Sequence, residues 1–72
     1  MDPSSQIGGP LDILKLLIDT VVTVELKDST VIKGLLKGFD EHINIILSKA
    51  EIDSVKTDIV FIRGDLVCLV KE

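Results

Sequence analysis

Two apolar runs near the C-terminus, Ile59-Val60-Phe61-Ile62 and Leu66-Val67-Cys68-Leu69-Val70, set the tightest limit on how this chain can fold. Successive side chains of a strand point to opposite faces, so each run makes a strand that is apolar on both faces. A chain of 72 residues forms one small domain, which buries a modest fraction of its surface and cannot cover both faces of two such strands by itself. Left open, their edges would invite aggregation. The expected remedy is pairing of the fourth strand of one subunit with the fifth strand of the next. That contact is head-to-tail, so its repetition closes into a ring or runs on as a filament. Other supports for a small domain are excluded: one cysteine, Cys68, and one histidine, His42, make neither an intramolecular disulfide nor a Cys/His zinc site within the chain.

Upstream, residues 1–9 are polar and rich in Pro, Ser and Gly, and are expected to form a flexible tail ahead of a domain over residues 10–72. Pro10 suits the first position of a helix, and Asp12 suits its first turn. Leu11, Leu14, Leu17 and Ile18 share one face of that helix, which is about two turns long and needs packing to persist. From Thr20 the apolar period becomes two, with Val22, Val24 and Leu26 on one face of a first strand. Lys27-Asp28-Ser29 turns into a second strand over residues 30–39, which carries Ile32, Gly34 and Leu36 on one face. Phe39 has the opposite parity, which calls for a bulge at Gly38, and Gly34 permits a sharp bend with close backbone approach. A third strand over residues 43–52, a tight turn at Asp53-Ser54, and strands over residues 56–62 and 66–70 complete the pattern.

Composition limits the partners. The apolar runs fall far short of the roughly 20 residues of a membrane span, and the first residues lack a basic then apolar leader, so no membrane is expected and a cytosolic or nuclear location follows, cytoplasmic being the expectation. A net charge of −4 argues against a broad nucleic-acid-coating face, so any nucleic-acid site must be local. Aromatics are 3% of the chain, two phenylalanines, so a base would have to stack on His or Arg instead. Two loops hold the residues for that: Asp40-Glu41-His42-Ile43-Asn44 and Ile62-Arg63-Gly64-Asp65. Histidine and arginine offer planar groups to stack on, and asparagine an amide to read a base edge.

With these motifs in place the chain resembles the Sm/Lsm family, and within it the short archaeal Sm-like proteins, over residues 10–70. The first family motif is matched by Val22, Val24, Leu26, Lys27, Asp28, Gly34, Leu36, Phe39, Asp40, Ile43, Asn44 and Leu47, and the second by Ile62, Arg63, Gly64, Asp65 and the apolar strand that follows. Ser29 departs from the pattern, since glycine is frequent there, and the connection between the third and fourth strands is short.

The resemblance implies a mostly β fold: a short N-terminal helix, then a strongly bent five-stranded antiparallel small barrel. It also implies a homo-oligomeric ring of six or seven subunits, seven favoured, that binds short U-rich single-stranded RNA at its pore and acts as a scaffold or chaperone alongside RNA-processing proteins. Carried over by position, a base stacks between His42 and Arg63, Asn44 bonds its edge, Asp40 orients Asn44, and Gly64 and Asp65 shape the pocket. The chemistry is consistent: uracil offers a carbonyl acceptor beside an N3 donor, cytosine reverses that order, and an ionised carboxylate stops the Asn44 amide from flipping because it can only accept. Stacking contributes about 1–3 kcal/mol per base, so repeated sites gain through effective concentration. The alternative is a ring that serves as a protein-interaction scaffold with weak or vestigial RNA binding.

Remaining features are read as structural. Asp40 and Glu41 have no nucleophile or metal partner, so no catalysis, cofactor or metal is expected. Arg63-Gly64-Asp65 also spells an adhesion tripeptide, a chance match in an intracellular chain, and Gly64 is expected at a positive φ. Cys68 is expected to be buried and inert. Gly8-Gly9-Pro10 is too short for a phosphate loop, and Glu51, Asp53 and Asp58 form a solvated acidic group with at most a loosely held cation.

Overall fold

The computed structural model describes residues 10–72, so the expected tail over residues 1–9 lies outside the described residues. Helix α1 (Pro10–Leu17) is followed by β1 (Val21–Leu26), β2 (Val31–Phe39), β3 (Ile45–Ile52) and β4 (Val55–Ile62). A 3₁₀ turn over Gly64–Leu66 leads into β5 (Val67–Lys71). The five strands form one antiparallel sheet in the order β4-β3-β2-β1-β5. Both expected edges are therefore the outermost strands of the chain's own sheet.

The alternation read from the sequence determines which face is inward. Val22, Val24, Ile32, Leu36, Ile45, Leu47, Ala50 and Ile62 form the buried core, and Leu14 of α1 covers one end of it. Leu11, Leu17 and Ile18 pack beside Leu14, which supplies the support a two-turn helix lacks in water. The helix stops where Asp19 turns into the left-handed region (φ 66°). There the Thr20 hydroxyl and N–H both donate to the Leu17 carbonyl, at 2.6 and 3.0 Å. Asp19 N–H then donates to the Leu36 carbonyl at 2.8 Å, which ties the helix exit to β2.

The bend comes from bulges. Pairing of β2 with β3 shifts register between Lys33 and Leu35 and again between Leu36 and Gly38, the second where the parity of Phe39 calls for it. At Gly34 a Cβ would lie 3.0 Å from both the Ala50 Cα and the Ser48 carbonyl oxygen, so only glycine lets β2 and β3 approach this closely. Asp53 and Ser54, at φ 49° and 67°, make the two-residue hairpin turn between β3 and β4.

The outer faces of β4 and β5 remain uncovered. Ile59 and Phe61 are 65% and 75% exposed, and Leu66 and Leu69 are also open, while Ile62, Val67 and Val70 on the alternate face meet the core. This is the doubly apolar pattern that calls for a neighbouring subunit.

Four expectations need correction. The third strand starts at Ile45 instead of Ile43, because Ile43 sits at φ 62°, outside any strand conformation. The fifth strand starts at Val67, since Leu66 belongs to the 3₁₀ turn, closed by its N–H to the Arg63 carbonyl at 3.0 Å. Cys68 is exposed, not buried: the β1–β5 register skips it, leaving it at a bulge on an open edge strand. Gly64 is not at positive φ, and the reason for glycine there is steric.

Candidate nucleic-acid interface

The loop between β2 and β3 is a three-residue hairpin. Ile43 N–H donates to the Asp40 carbonyl at 3.1 Å, Asp40 N–H donates to the Asn44 carbonyl at 3.1 Å, and Ile43 takes the left-handed position. The turn between β1 and β2 is built alike: Ser29 N–H donates to the Leu26 carbonyl, Leu26 N–H to the Thr30 carbonyl, and Ser29 lies at φ 74°. Ser29 thus occupies the left-handed position that glycine adopts most easily, and Asp28 Oδ1 accepts from Thr30 N–H at 3.0 Å to support the turn. The Thr30 side chain foremost, with this backbone bond second, holds the Asp28 carboxyl below its ordinary value.

Asp40 organises the second loop. Its Oδ1 accepts from the backbone N–H groups of His42 (2.9 Å) and Asn44 (3.1 Å), and its Oδ2 accepts from Asn44 Nδ2 at 2.9 Å. The Asn44 side chain is the main reason the Asp40 carboxyl is held below its usual range; the two backbone donors and the nearby His42 add to it, against a desolvation effect. The carboxylate therefore stays ionised and accepts only.

The other end of the Asn44 amide is held by the second loop: its Oδ1 accepts from Gly64 N–H at 2.7 Å, across 20 residues of chain. One end faces a group that can only accept and the other a group that can only donate, so the amide orientation is determined. Each end keeps spare capacity, one N–H on Nδ2 and one lone pair on Oδ1. Gly64 is required for this closeness, because a Cβ there would overlap the His42 carbonyl oxygen and lie 2.9 Å from the Ile43 carbonyl carbon.

His42, Asn44, Arg63, Gly64 and Asp65 line one open recess. All six residues singled out in the sequence thus meet: five at the recess, and Asp40 behind Asn44. Arg63 Nη2 donates to Asp65 Oδ2 at 3.0 Å, an exposed pair worth about 0–1 kcal/mol, so it orients the guanidinium more than it stabilises the fold. His42 is 75% exposed, with Nε2 3.6 Å from Glu41 Oε1. The recess presents two planar cationic or ionisable groups and a fixed amide, which together can clamp and read a flat heterocycle.

Ile43, read from the sequence as a motif residue and the start of the third strand, is the residue whose conformation sequence reasoning missed. A β-branched side chain at φ 62° costs about 1–3 kcal/mol, and among the described residues it is the only β-branched one at positive φ. Ile43 and Ser29 both take the third position of a three-residue loop, but isoleucine gives no residue-type signal of a left-handed backbone. Among the described residues no three His, Cys, Asp or Glu side chains gather as a metal site, and no helix is long and apolar enough to cross a membrane.

Comparison with known proteins agrees with this architecture. Residues 12–72 match the LSM domain family. The SmAP (LSm) protein of Methanococcus vannielii superposes with a TM-score of 0.83 at 43% identity, covering 88% of this chain and 94% of that one. The Pyrococcus abyssii Sm protein, solved in complex with a uridine heptamer, gives a TM-score of 0.82 at 34% identity over 88% and 96% of the two chains. The SmAP1 heptamer of P. aerophilum gives 0.78 at 35% identity over 82% and 85%. With the family match over residues 12–72, its helix and its five-stranded sheet, this chain belongs to the LSM (Sm-like) family.

Proposed function

We propose that this protein assembles into a seven-membered ring that binds short U-rich single-stranded RNA around its pore, as a scaffold or chaperone in RNA processing. The observation that carries the reading is the recess where His42 and Arg63 flank an Asn44 amide locked by Asp40 and Gly64. The spare N–H of that amide meets a uracil carbonyl, and its spare lone pair meets uracil N3–H; cytosine offers the reverse order. The P. abyssii relative with its uridine heptamer and the P. aerophilum heptamer support the ligand class and the ring. The exposed apolar edges of β4 and β5 support it independently, since one chain cannot cover both.

The role is non-catalytic. Asp40, the carboxylate behind Asn44, accepts three hydrogen bonds and is held ionised, the opposite of what a general acid needs, and Asp65, the carboxylate that lines the recess, is paired with Arg63. The protein works in the cytoplasm, where the lone Cys68 stays reduced. Arg63→Ala tests the site: loss of one stacking platform should weaken oligo(U) binding by several-fold or more per occupied pocket, from about 1–3 kcal/mol of stacking, while light scattering shows the ring intact. Undiminished binding in the variant would refute the pocket. Absence of binding even in the wild type would leave the ring as a protein-interaction scaffold.

A further inference from the structure

We propose that Ile43 is a positioning residue for base selection: its side chain, partly buried against the apolar core, holds a left-handed backbone that aims the Asn44 amide. This rests on the reading of the recess as a uracil site. Three-residue hairpin loops place glycine most comfortably at their left-handed position, and the matching loop between β1 and β2 uses a small polar serine. The loop beside the recess instead carries the side-chain class least suited to φ 62°.

The compensation is visible. Ile43 packs against the core and lines an apolar groove with Leu14 and Leu17 of α1 and Val67 and Val70 of β5. With that side chain fixed inward, the residues on either side, His42 and Asn44, both line the recess. The carbonyl groups of His42 and Ile43 meanwhile lie against Gly64, whose N–H bonds Asn44 Oδ1. Without the anchor the residue is free to leave the left-handed region, which rotates the peptides on both sides of it and uncouples Asn44 from Gly64. A glycine at this position permits φ 62° at no cost but permits every other conformation as well. Hence the strained isoleucine holds one loop geometry where glycine would allow many.

The test compares Ile43→Gly, Ile43→Ala and Ile43→Leu with the wild type in the assembled protein. Gly64 amide exchange is followed by NMR, oligo(U) and oligo(C) affinities by fluorescence anisotropy, and assembly by light scattering. In Ile43→Gly the Gly64 amide should exchange about tenfold faster or more, reporting local opening. Its U-over-C preference should fall about fivefold or more as the amide loses its fixed orientation. Ile43→Ala, which keeps a Cβ but removes the anchor, should move the same way and serves if the glycine variant fails to assemble. Ile43→Leu, which keeps an apolar anchor, should restore both readouts. Wild-type exchange and preference in assembled Ile43→Gly or Ile43→Ala would overturn the proposal. A wild type without U preference would overturn the uracil reading itself, and is told apart because the variants are not needed to see it.

Discussion

Replacing Asn44 with alanine separates reading a base from merely holding it. The substitution removes Oδ1, leaving the half-buried Gly64 N–H without its 2.7 Å acceptor, and removes the amide that presents a donor and an acceptor to the recess. Loss of one such hydrogen bond costs about 1 kcal/mol of stability. In a domain of 72 residues that lowers Tm by about 4–8 °C. The larger effect is on discrimination. A two-bond base-edge contact is worth about 1–3 kcal/mol against the wrong base. That corresponds to about 5–150-fold in the U-over-C affinity ratio for each occupied pocket. His42 and Arg63, the proposed stacking partners, remain, so oligo(C) affinity should change by no more than about twofold, stacking being indifferent to base identity. Anisotropy titrations of both variants of the ligand against Asn44→Ala, with a melting curve beside them, give all three quantities. A folded, assembled variant that keeps the wild-type U-over-C ratio would refute the assignment of base reading to Asn44.

Other consequences are equally direct. Gly64→Ala drives a Cβ into the His42 carbonyl, so the two loops must part; oligo(U) binding should fall below detection with a lowered Tm, and unchanged binding would contradict the close approach. Phe61→Asp places a charge on the open outer face of β4, and light scattering should show a shift from about 55 kDa, seven times 7.9 kDa, toward the single chain. Because the folded Asp40 carboxyl titrates below its ordinary 3.8, its stabilising contribution is present above that value and disappears as pH falls through the lower folded value. A carboxyl NMR titration should therefore place the Asp40 midpoint under 3.8, and U preference should hold between about pH 5 and 7.

Much of this architecture is legible in the residues because periodicity reports burial. The alternation through Val22 and Val24 and the parity break before Phe39 locate strands and a bulge, since a strand's period is two and an extra residue flips it. The pairing of Asp40 with Asn44 follows from complementary donor and acceptor chemistry. What the residues conceal is backbone conformation and exposure. Nothing local marks Ile43 as left-handed, because its type argues against it and only packing on α1 and β5 holds it there. Gly64 invites the wrong explanation: glycine licenses positive φ, but here it makes room for the His42 carbonyl, a contact from the distant loop between β2 and β3. Cys68 lies in an apolar run, which ordinarily means burial, yet a bulge on an edge strand leaves it open in the single chain.

The most direct test of the central claim is a fluorescence-anisotropy titration of the assembled wild-type protein with short oligo(U), oligo(C) and oligo(A) at two salt concentrations. The recess of His42, Asn44 and Arg63 predicts tightest binding to oligo(U), with a preference over oligo(C) and oligo(A) that survives added salt, because it comes from stacking and edge bonding more than from phosphate attraction. Equal affinity for all three, or binding that vanishes at the higher salt, would contradict it.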